Sequence, residues 1–240
     1  MHYPLLSDPE SQIIRAFDIL NENFPRDNPW FGVPYPGTFL IDERGVDKAK
    51  YFEDDHRESY TAASILAHEF GGDGLAKTTV ETPHLSLSYG SSDASLSPGR
   101  RTTLIVDIEL KPRMHVYAPG VEGSYIPIEW TISDSKGWIA HPTSYPASRK
   151  LHLPAIDETV PVYEGRFRLT RDLTIGQPQE VGPLLGPERT VTIEGVFRYQ
   201  ACDDRMCYIP RNIPLKWTFP IDRLDSQRAP VELQRKAKQN

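Results

Sequence analysis

The sequence has 240 residues, 22 prolines and a formal net charge of −6 at pH 7. This length suits one large and one small globular domain, and the negative charge argues against a nucleic-acid partner. No apolar run reaches the roughly 20 residues that a membrane-spanning helix needs, and the first residues lack the basic and apolar regions of a signal peptide. The frequent prolines favour strands and turns, because proline interrupts helices.

Residues 1–72 have the pattern of a mixed α/β module. Apolar residues at helical spacing between Ile13 and Leu20 predict a first helix. The apolar run at 38–41 predicts a strand, and the turn at 42–45 leads into a partner strand over 46–52, which together make a hairpin. Residues 57–70 predict a second helix, which Gly71 ends as a C-cap.

The rest of the chain has a different period. Residues 73–83 are small and polar and are predicted to form a linker. Over residues 84–222 apolar and polar positions alternate between proline and glycine turns, which is typical of half-buried strands in an antiparallel sandwich. Residues 223–240 are charged and are predicted to be a tail. The predicted fold class is therefore α+β, with an α/β module followed by a β-sandwich.

Cys202 and Cys207 are the only cysteines, and they lie between two predicted strands. Facing residues of an antiparallel pair have Cα atoms about 4.5–5.5 Å apart, which lies within the range of about 4.4–6.8 Å that a disulfide needs. Two thiols alone cannot form a four-ligand zinc site. The sequence therefore predicts one disulfide, no metal and no other cofactor.

The chemistry of this pair is open from its spacing alone. A structural disulfide or two neighbouring free thiols fits the spacing as well as a redox pair does. A disulfide that closes a loop this short stabilises the folded state by at most about 2 kcal/mol, so the pair suits exchange better than stabilisation. Asp203 and Asp204 disfavour a thiolate and Arg205 favours it, so we expect thiols that react when a partner docks.

The flanking sequence resembles a known redox family. Residues 114–221 are similar to the amino-terminal domain of DsbD, a transmembrane thiol–disulfide reductase. The resemblance rests on Tyr-Gln-Ala-Cys at 199–202, on Cys207 with Tyr208 and Pro210, and on Pro-Leu at 214–215. It implies an immunoglobulin-like sandwich whose cysteine pair receives electrons from a thioredoxin-like domain and passes them on. The cysteine spacing is one residue shorter than in the best-known member.

The same resemblance implies roles for further residues. His115 and Tyr117 fall where the family has aromatic residues beside the cysteines. The segment 162–165 is similar to the cap that shields the pair. Besides Cys202 and Cys207 as the redox pair, the residues expected to shape the site are His115, Tyr117, Val162, Tyr163, Glu164 and Tyr208.

A second resemblance covers residues 3 to about 70. The segments 3–10 and 36–42, with Gly45 and Tyr51, are similar to the second half of an AhpC/TSA-type, thioredoxin-like redoxin. Pro36 then occupies the position of that fold's cis-proline. The first βαβ unit of that family, which holds its reactive cysteine, has no counterpart in this chain. A module truncated in this way leaves a strand edge open, so we expect self-association through it.

The sequence leaves three functions open. The first is thiol–disulfide exchange with a thioredoxin-like or other redox protein. The second is a non-catalytic binding or structural sandwich with a plain disulfide, because a fold does not fix a function. The third is a fragment of a peroxiredoxin-type antioxidant protein without its own peroxidatic cysteine. The DsbD resemblance implies a compartment outside the cytoplasmic membrane, whereas a start at Met1 without a signal peptide implies the cytoplasm.

Overall fold

The computed structural model describes residues 7–52, 59–72, 74–153 and 157–222. The chain divides into two compact units, Met1–Tyr60 and Thr61–Asn240. Antiparallel strands dominate the described residues, and none of the helices there is long and apolar enough to cross a membrane. The predicted tail over 223–240 lies outside the described residues.

The elements of the first unit are α1 (Gln12–Ala16), β1 (Gly37–Ile41), β2 (Asp47–Phe52) and β3 (Ser59–Tyr60). The predicted hairpin is confirmed, since β1 and β2 pair in antiparallel register. Its turn is held by Asp42, whose carboxylate accepts the backbone N–H groups of Arg44 at 2.9 Å and Val46 at 3.0 Å. The ring of Phe39 packs edge-on against Phe17 and Phe52, so a small, partly exposed aromatic cluster lies between the end of α1 and the hairpin.

The predicted cis-proline at Pro36 is wrong, because no peptide bond among the described residues is cis. The chain before Pro36 is instead fixed by extended pairing. The Tyr35 N–H donates to the Ile19 carbonyl at 2.8 Å, and Leu20 forms an antiparallel bridge with Pro34. These bonds are satisfied with a trans bond, which is favoured by about 0.5–1 kcal/mol before proline.

The second unit begins with helix α2 (Ala62–Phe70). The Thr61 side chain caps its first turn by accepting the Ser64 N–H at 3.0 Å, and Gly71 ends it in the left-handed conformation at φ 62°. The predicted C-cap is therefore confirmed. The helix begins later than predicted, because Ser59–Tyr60 is extended and the Thr61 hydroxyl supplies the cap; the predicted start at Arg57 lies outside the described residues.

The strands of the second unit are β4 (Leu75–Glu81), β5 (Leu85–Ser91), β6 (Arg100–Leu110), β7 (His115–Tyr117), β8 (Glu129–Ile132), β9 (Trp138–Ser144), β10 (Arg149–Leu153), β11 (Glu158–Glu164), β12 (Arg166–Ile175), β13 (Thr190–Tyr199), β14 (Ala201–Cys202) and β15 (Arg211–Pro220). A short helix, α3 (Pro178–Val181), and two 3₁₀ turns, Gly182–Leu184 and Pro187–Arg189, precede β13. The strands form three sheets in the orders β4–β5–β6–β12–β9, β15–β13–β8 and β10–β11–β7–β14.

The main core lies between the five-stranded and three-stranded sheets, as a sandwich requires. Trp217 on β15 shows how the sheets join: its ring contacts Tyr89 at 5.0 Å between centroids, and its Nε1 donates to the Gly90 carbonyl at 2.9 Å. Trp130 and Trp217 are both buried. The predicted immunoglobulin-like sandwich is confirmed.

The predicted linker over 73–83 contains a strand. β4 pairs with β5 along most of its length, for example Val80 with Leu87. As the edge strand of its sheet, β4 leaves Thr78 and Thr79 exposed, and this explains why its sequence has too few apolar positions to look like a strand. The division at residue 60 also places α2 in the sandwich unit rather than in the first module.

Candidate redox site

The four-stranded sheet brings five of the predicted site residues onto one face. In the antiparallel register Cys202 on β14 lies opposite His115 on β7, and His115 lies opposite Glu164 on β11. Two positions along the ladder, Tyr117 on β7 lies opposite Val162 on β11. Directly opposite residues, and residues two apart on one strand, project from the same face of a sheet. These five side chains therefore share the face that carries the cysteines.

The predicted disulfide between Cys202 and Cys207 is present, with Cα atoms 4.0 Å apart across an antiparallel bridge. The loop between the cysteines is closed by backbone bonds. The Asp203 N–H donates to the Met206 carbonyl, and the Tyr208 N–H donates to the Ala201 carbonyl, both at 2.9 Å. The cysteines thus stand at the two ends of a tight hairpin.

Asp203 organises this hairpin. Its carboxylate accepts the backbone N–H groups of Arg205 at 2.8 Å and Met206 at 2.9 Å, and the hydroxyl of Tyr208 at 2.8 Å. The bonds from the Arg205 N–H, the Tyr208 hydroxyl and the Met206 N–H together lower the pKa of Asp203 to about 2. An aspartate that accepts the N–H two residues ahead forms an Asx turn, so Asp203 shapes the hairpin as well as contributing a negative charge.

The two cysteines differ in exposure. Cys202 is 1% exposed and belongs to a small apolar cluster, whereas Cys207 is exposed. Apolar side chains flank the exposed cysteine, with Met206 at 57% and Ile209 at 85% exposure. A thiol from outside can therefore reach Cys207 and not Cys202.

Tyr117 lies beside the sulfur of Cys207. Its hydroxyl is 3.5 Å from Cys207 Sγ, and its ring is buried with Cys202 and Val162. Burial raises the pKa of Tyr117, with a smaller contribution from the Glu158 charge, so the hydroxyl keeps its proton at neutral pH. The structure thus places Tyr117 and Val162 against the disulfide.

The predicted shielding by Tyr163 is wrong. Tyr163 alternates with Val162 and Glu164 along β11, so its side chain projects from the opposite face into the main core. There its ring stacks on Phe167 at 4.7 Å, and its hydroxyl donates to the Pro146 carbonyl at 2.9 Å. The segment predicted as a cap loop is a paired strand.

Glu164 ends this strand. Its carboxylate forms an ion pair with Arg149, and residue 165 is a glycine in the left-handed conformation at φ 62°, where the chain turns. Glu164 thus lies in the row of His115 and Cys202, with its charge balanced by an arginine.

His115 is buried, with 5% of its surface exposed. Its Nε2 has no hydrogen-bond partner among the described residues, and its ring lies edge-on to Tyr117 with centroids 5.7 Å apart. Burial lowers the pKa of His115, and the charges of Glu164, Asp204 and Asp203 offset this only partly. The imidazole is therefore neutral at neutral pH.

Tyr208 supports the hairpin from the other side of the bridge. Its hydroxyl bonds Asp203, and that bond raises the pKa of Tyr208. Its ring lies against His84, with centroids 4.5 Å apart. His84 is buried and lies just before β5, in the turn from β4. Its contact with Tyr208 could not be predicted from the sequence, because His84 is more than 100 positions from the cysteines.

Comparison with known families matches both parts of the chain. Residues 90–214, just over half of the 240, match the profile of a family described as the N-terminal domain of the thiol:disulfide interchange protein DsbD. Residues 1–49 match the AhpC/TSA family. Both resemblances are confirmed, although the second ends earlier than residue 70. No curated protein matches the chain.

Two solved structures are similar to part of the chain. The N-terminal periplasmic domain of ScsB from Proteus mirabilis is 13% identical, covers 57% of this chain and aligns with a TM-score of 0.41 over 49% of its own length. The yeast GGA1 GAE domain is 11% identical, covers 59% of this chain and aligns with a TM-score of 0.31 over 96% of its own length. This chain thus spans about half of the ScsB structure.

Proposed function

Because the chain belongs to the family of amino-terminal domains of the thiol:disulfide interchange protein DsbD, we propose that it exchanges thiols and disulfides with another protein through Cys202 and Cys207. The observation that carries the proposal is the unequal exposure of the two cysteines. A partner thiolate attacks the sulfur of Cys207, the exposed cysteine, and Cys202 leaves as a buried thiolate that then takes up a proton. In the reverse direction Cys207 attacks a partner disulfide and Cys202 resolves the mixed disulfide.

The hydrogen-bonding side chains near the pair suit this chemistry. The Tyr117 hydroxyl donates toward Cys207 Sγ and stabilises a thiolate there. The nearby carboxylates already have partners. Asp203 accepts hydrogen bonds within the hairpin, and Asp204 forms an ion pair with Arg113 at 2.6 Å. The charge of Asp204 therefore repels an approaching thiolate less than the sequence suggests.

The proposed partner is a thioredoxin-like or other redox protein that presents its own cysteine. The segment 1–49 matches a redoxin family but contains no cysteine, so the thiol chemistry of this chain lies in the sandwich. A compartment outside the cytoplasmic membrane fits this function, because disulfides persist under oxidising conditions.

The rival function is a binding module with a structural disulfide, and the reduction potential separates the two. The pair is equilibrated with glutathione buffers and the oxidised fraction is read by thiol alkylation. We expect a potential above about −300 mV, the range of exchange disulfides. A potential below that value assigns the disulfide to stabilisation and contradicts the proposal.

A further inference from the structure

His115 is placed where a proton must move during exchange. It lies directly opposite Cys202 in the ladder between β7 and β14, on the face that carries both cysteines. Opposite residues in an antiparallel pair have Cβ atoms about 4.5–5.5 Å apart, so the imidazole and the sulfur are neighbours. Cys202 is 1% exposed, and water has little access to its thiol.

The imidazole has an unused nitrogen. Nε2 is buried and has no hydrogen-bond partner among the residues that the structure describes. A buried polar atom in that state costs free energy, so it points to a partner that is absent in the disulfide form. When the disulfide is reduced, the Cys202 S–H becomes a new donor beside it.

Burial keeps the imidazole in its neutral, basic form despite the carboxylates around it. Burial lowers the pKa of His115, while Glu164 on β11 and Asp203 and Asp204 in the hairpin raise it less. The Glu164 charge is balanced by Arg149, and Tyr117 is neutral. A neutral imidazole with a free nitrogen can accept a proton at neutral pH.

We infer that His115 is the base that removes the proton from Cys202 when Cys202 resolves a mixed disulfide; this rests on the proposed function. The Cys202 proton moves to His115 Nε2, and the thiolate attacks Cys207 Sγ. The Cys202–Cys207 bond forms as the bond from Cys207 to the partner sulfur breaks. The partner leaves as a thiolate with that electron pair and takes the proton back from the imidazolium, so the partner disulfide is reduced as the pair is oxidised.

The two thiols can be followed separately with 5,5′-dithiobis(2-nitrobenzoate) and the reduced full chain. Cys207 releases the first thionitrobenzoate and keeps the second as a mixed disulfide, and Cys202 then releases the second. We expect His115→Gln to slow the second release about a hundredfold at neutral pH and to leave the first unchanged, because general-base catalysis is worth about 10²–10⁴.

His152→Gln is the matched control, since it makes the same change at an exposed histidine of β10 on the same sheet. Equal second-phase rates in His115→Gln and the control overturn the inference while leaving the proposed function intact. If no mixed disulfide forms at Cys207 in the unmodified chain, the proposed function fails first and the inference fails with it.

The pH profile of the unmodified chain provides the test should His115→Gln not fold. With a lowered pKa at His115, the second phase should reach a plateau above about pH 6.5. A rate that instead rises about tenfold for each pH unit up to about pH 8.5 follows the thiolate fraction alone and contradicts the inference.

Discussion

At the residue scale the site follows from the alternation of side chains along strands. Once β7, β11 and β14 are paired, the period of two decides that His115, Tyr117 and Val162 face the disulfide and that Tyr163 does not. The same rule could have excluded Tyr163 from the sequence, had the strand been predicted through residue 164. The exposure of Cys207 could not have been predicted, because it depends on β14 ending at Cys202.

Replacing Tyr117 with phenylalanine should make Cys207 less reactive. The hydroxyl 3.5 Å from Cys207 Sγ favours the thiolate, so its removal should raise the pKa of the Cys207 thiol by up to about one unit. The measurement is the pH dependence of iodoacetamide alkylation in Cys202→Ser, with and without Tyr117→Phe. Tyr163→Phe, which loses a hydroxyl on the opposite face, is the control, and an equal shift in both variants would count against a role for Tyr117.

At the scale of elements, the patterns that predicted correctly were local ones. The β1–β2 hairpin has its turn residues and strand periods within 16 positions, and the C-cap of α2 needs only Gly71. The edge strand β4 was missed because its hydrogen bonds to β5, rather than apolar side chains, hold it in place. The pairing of Tyr35 with Ile19 before Pro36 joins residues 16 positions apart, and no local pattern contains it.

The hairpin that carries Cys207 has an apolar tip suited to a partner. Ile209 is 85% exposed, so Ile209→Asp should leave the fold intact and place a charge where a partner must dock. We expect reduction by thioredoxin to slow about tenfold, in line with the loss of one interface contact, and reduction by dithiothreitol to stay unchanged. Ile139→Asp, at 58% exposure on β9, is the matched control; equal effects from both would refute docking at the hairpin.

Helix α2 is joined to β6 and β12 by a polar network that should titrate. The hydroxyls of Ser64 and Thr103 lie 2.5 Å apart, Thr103 donates to Asp172 at 2.8 Å, and Asp172 bonds His68 at 2.8 Å. The hydrogen bond to Asp172 raises the pKa of His68, against the effect of burial. Burial raises the pKa of Asp172, but the hydrogen bond and the charge of His68 act against burial, and the pKa of Asp172 is lowered overall.

The sign of these shifts sets a pH window. The raised pKa of His68 gives stability that is complete below about pH 6.5 and is lost as pH rises through the folded value. The lowered pKa of Asp172 gives stability above about pH 3.9 that is lost on acidification. His68→Gln should therefore lower Tm most near pH 5–6 and less at pH 8. Each kcal/mol of unfolding free energy that the variant loses should lower Tm by about 2–4 °C. A Tm difference that is constant with pH would contradict this, and exposed His152→Gln is the control.

At the scale of the whole molecule, the sandwich has an extensive core, whereas no apolar side chain is buried among the described residues of the first unit. The sandwich core could be predicted because its apolar positions alternate over more than 100 residues. A misleading residue in one strand therefore does not change the prediction for the domain. In the first unit, several large apolar side chains are exposed: Ile13, Phe17, Trp30, Phe31, Ile41 and Val46. Self-association through this unit stays a prediction, and size-exclusion chromatography over a range of concentrations checks it.

Cys207 is the cysteine that we propose bonds to a partner protein. Cys202→Ser keeps this exposed thiol and removes the buried one that would resolve the mixed disulfide. The variant is incubated with a thioredoxin-like protein that keeps only its attacking cysteine, activated as the mixed disulfide with thionitrobenzoate, so that thionitrobenzoate leaves as Cys207 bonds to the partner. The products are resolved on a non-reducing gel. We predict a stable one-to-one adduct with Cys202→Ser and none with Cys207→Ser. An adduct with Cys207→Ser instead, or with neither variant, would contradict the account.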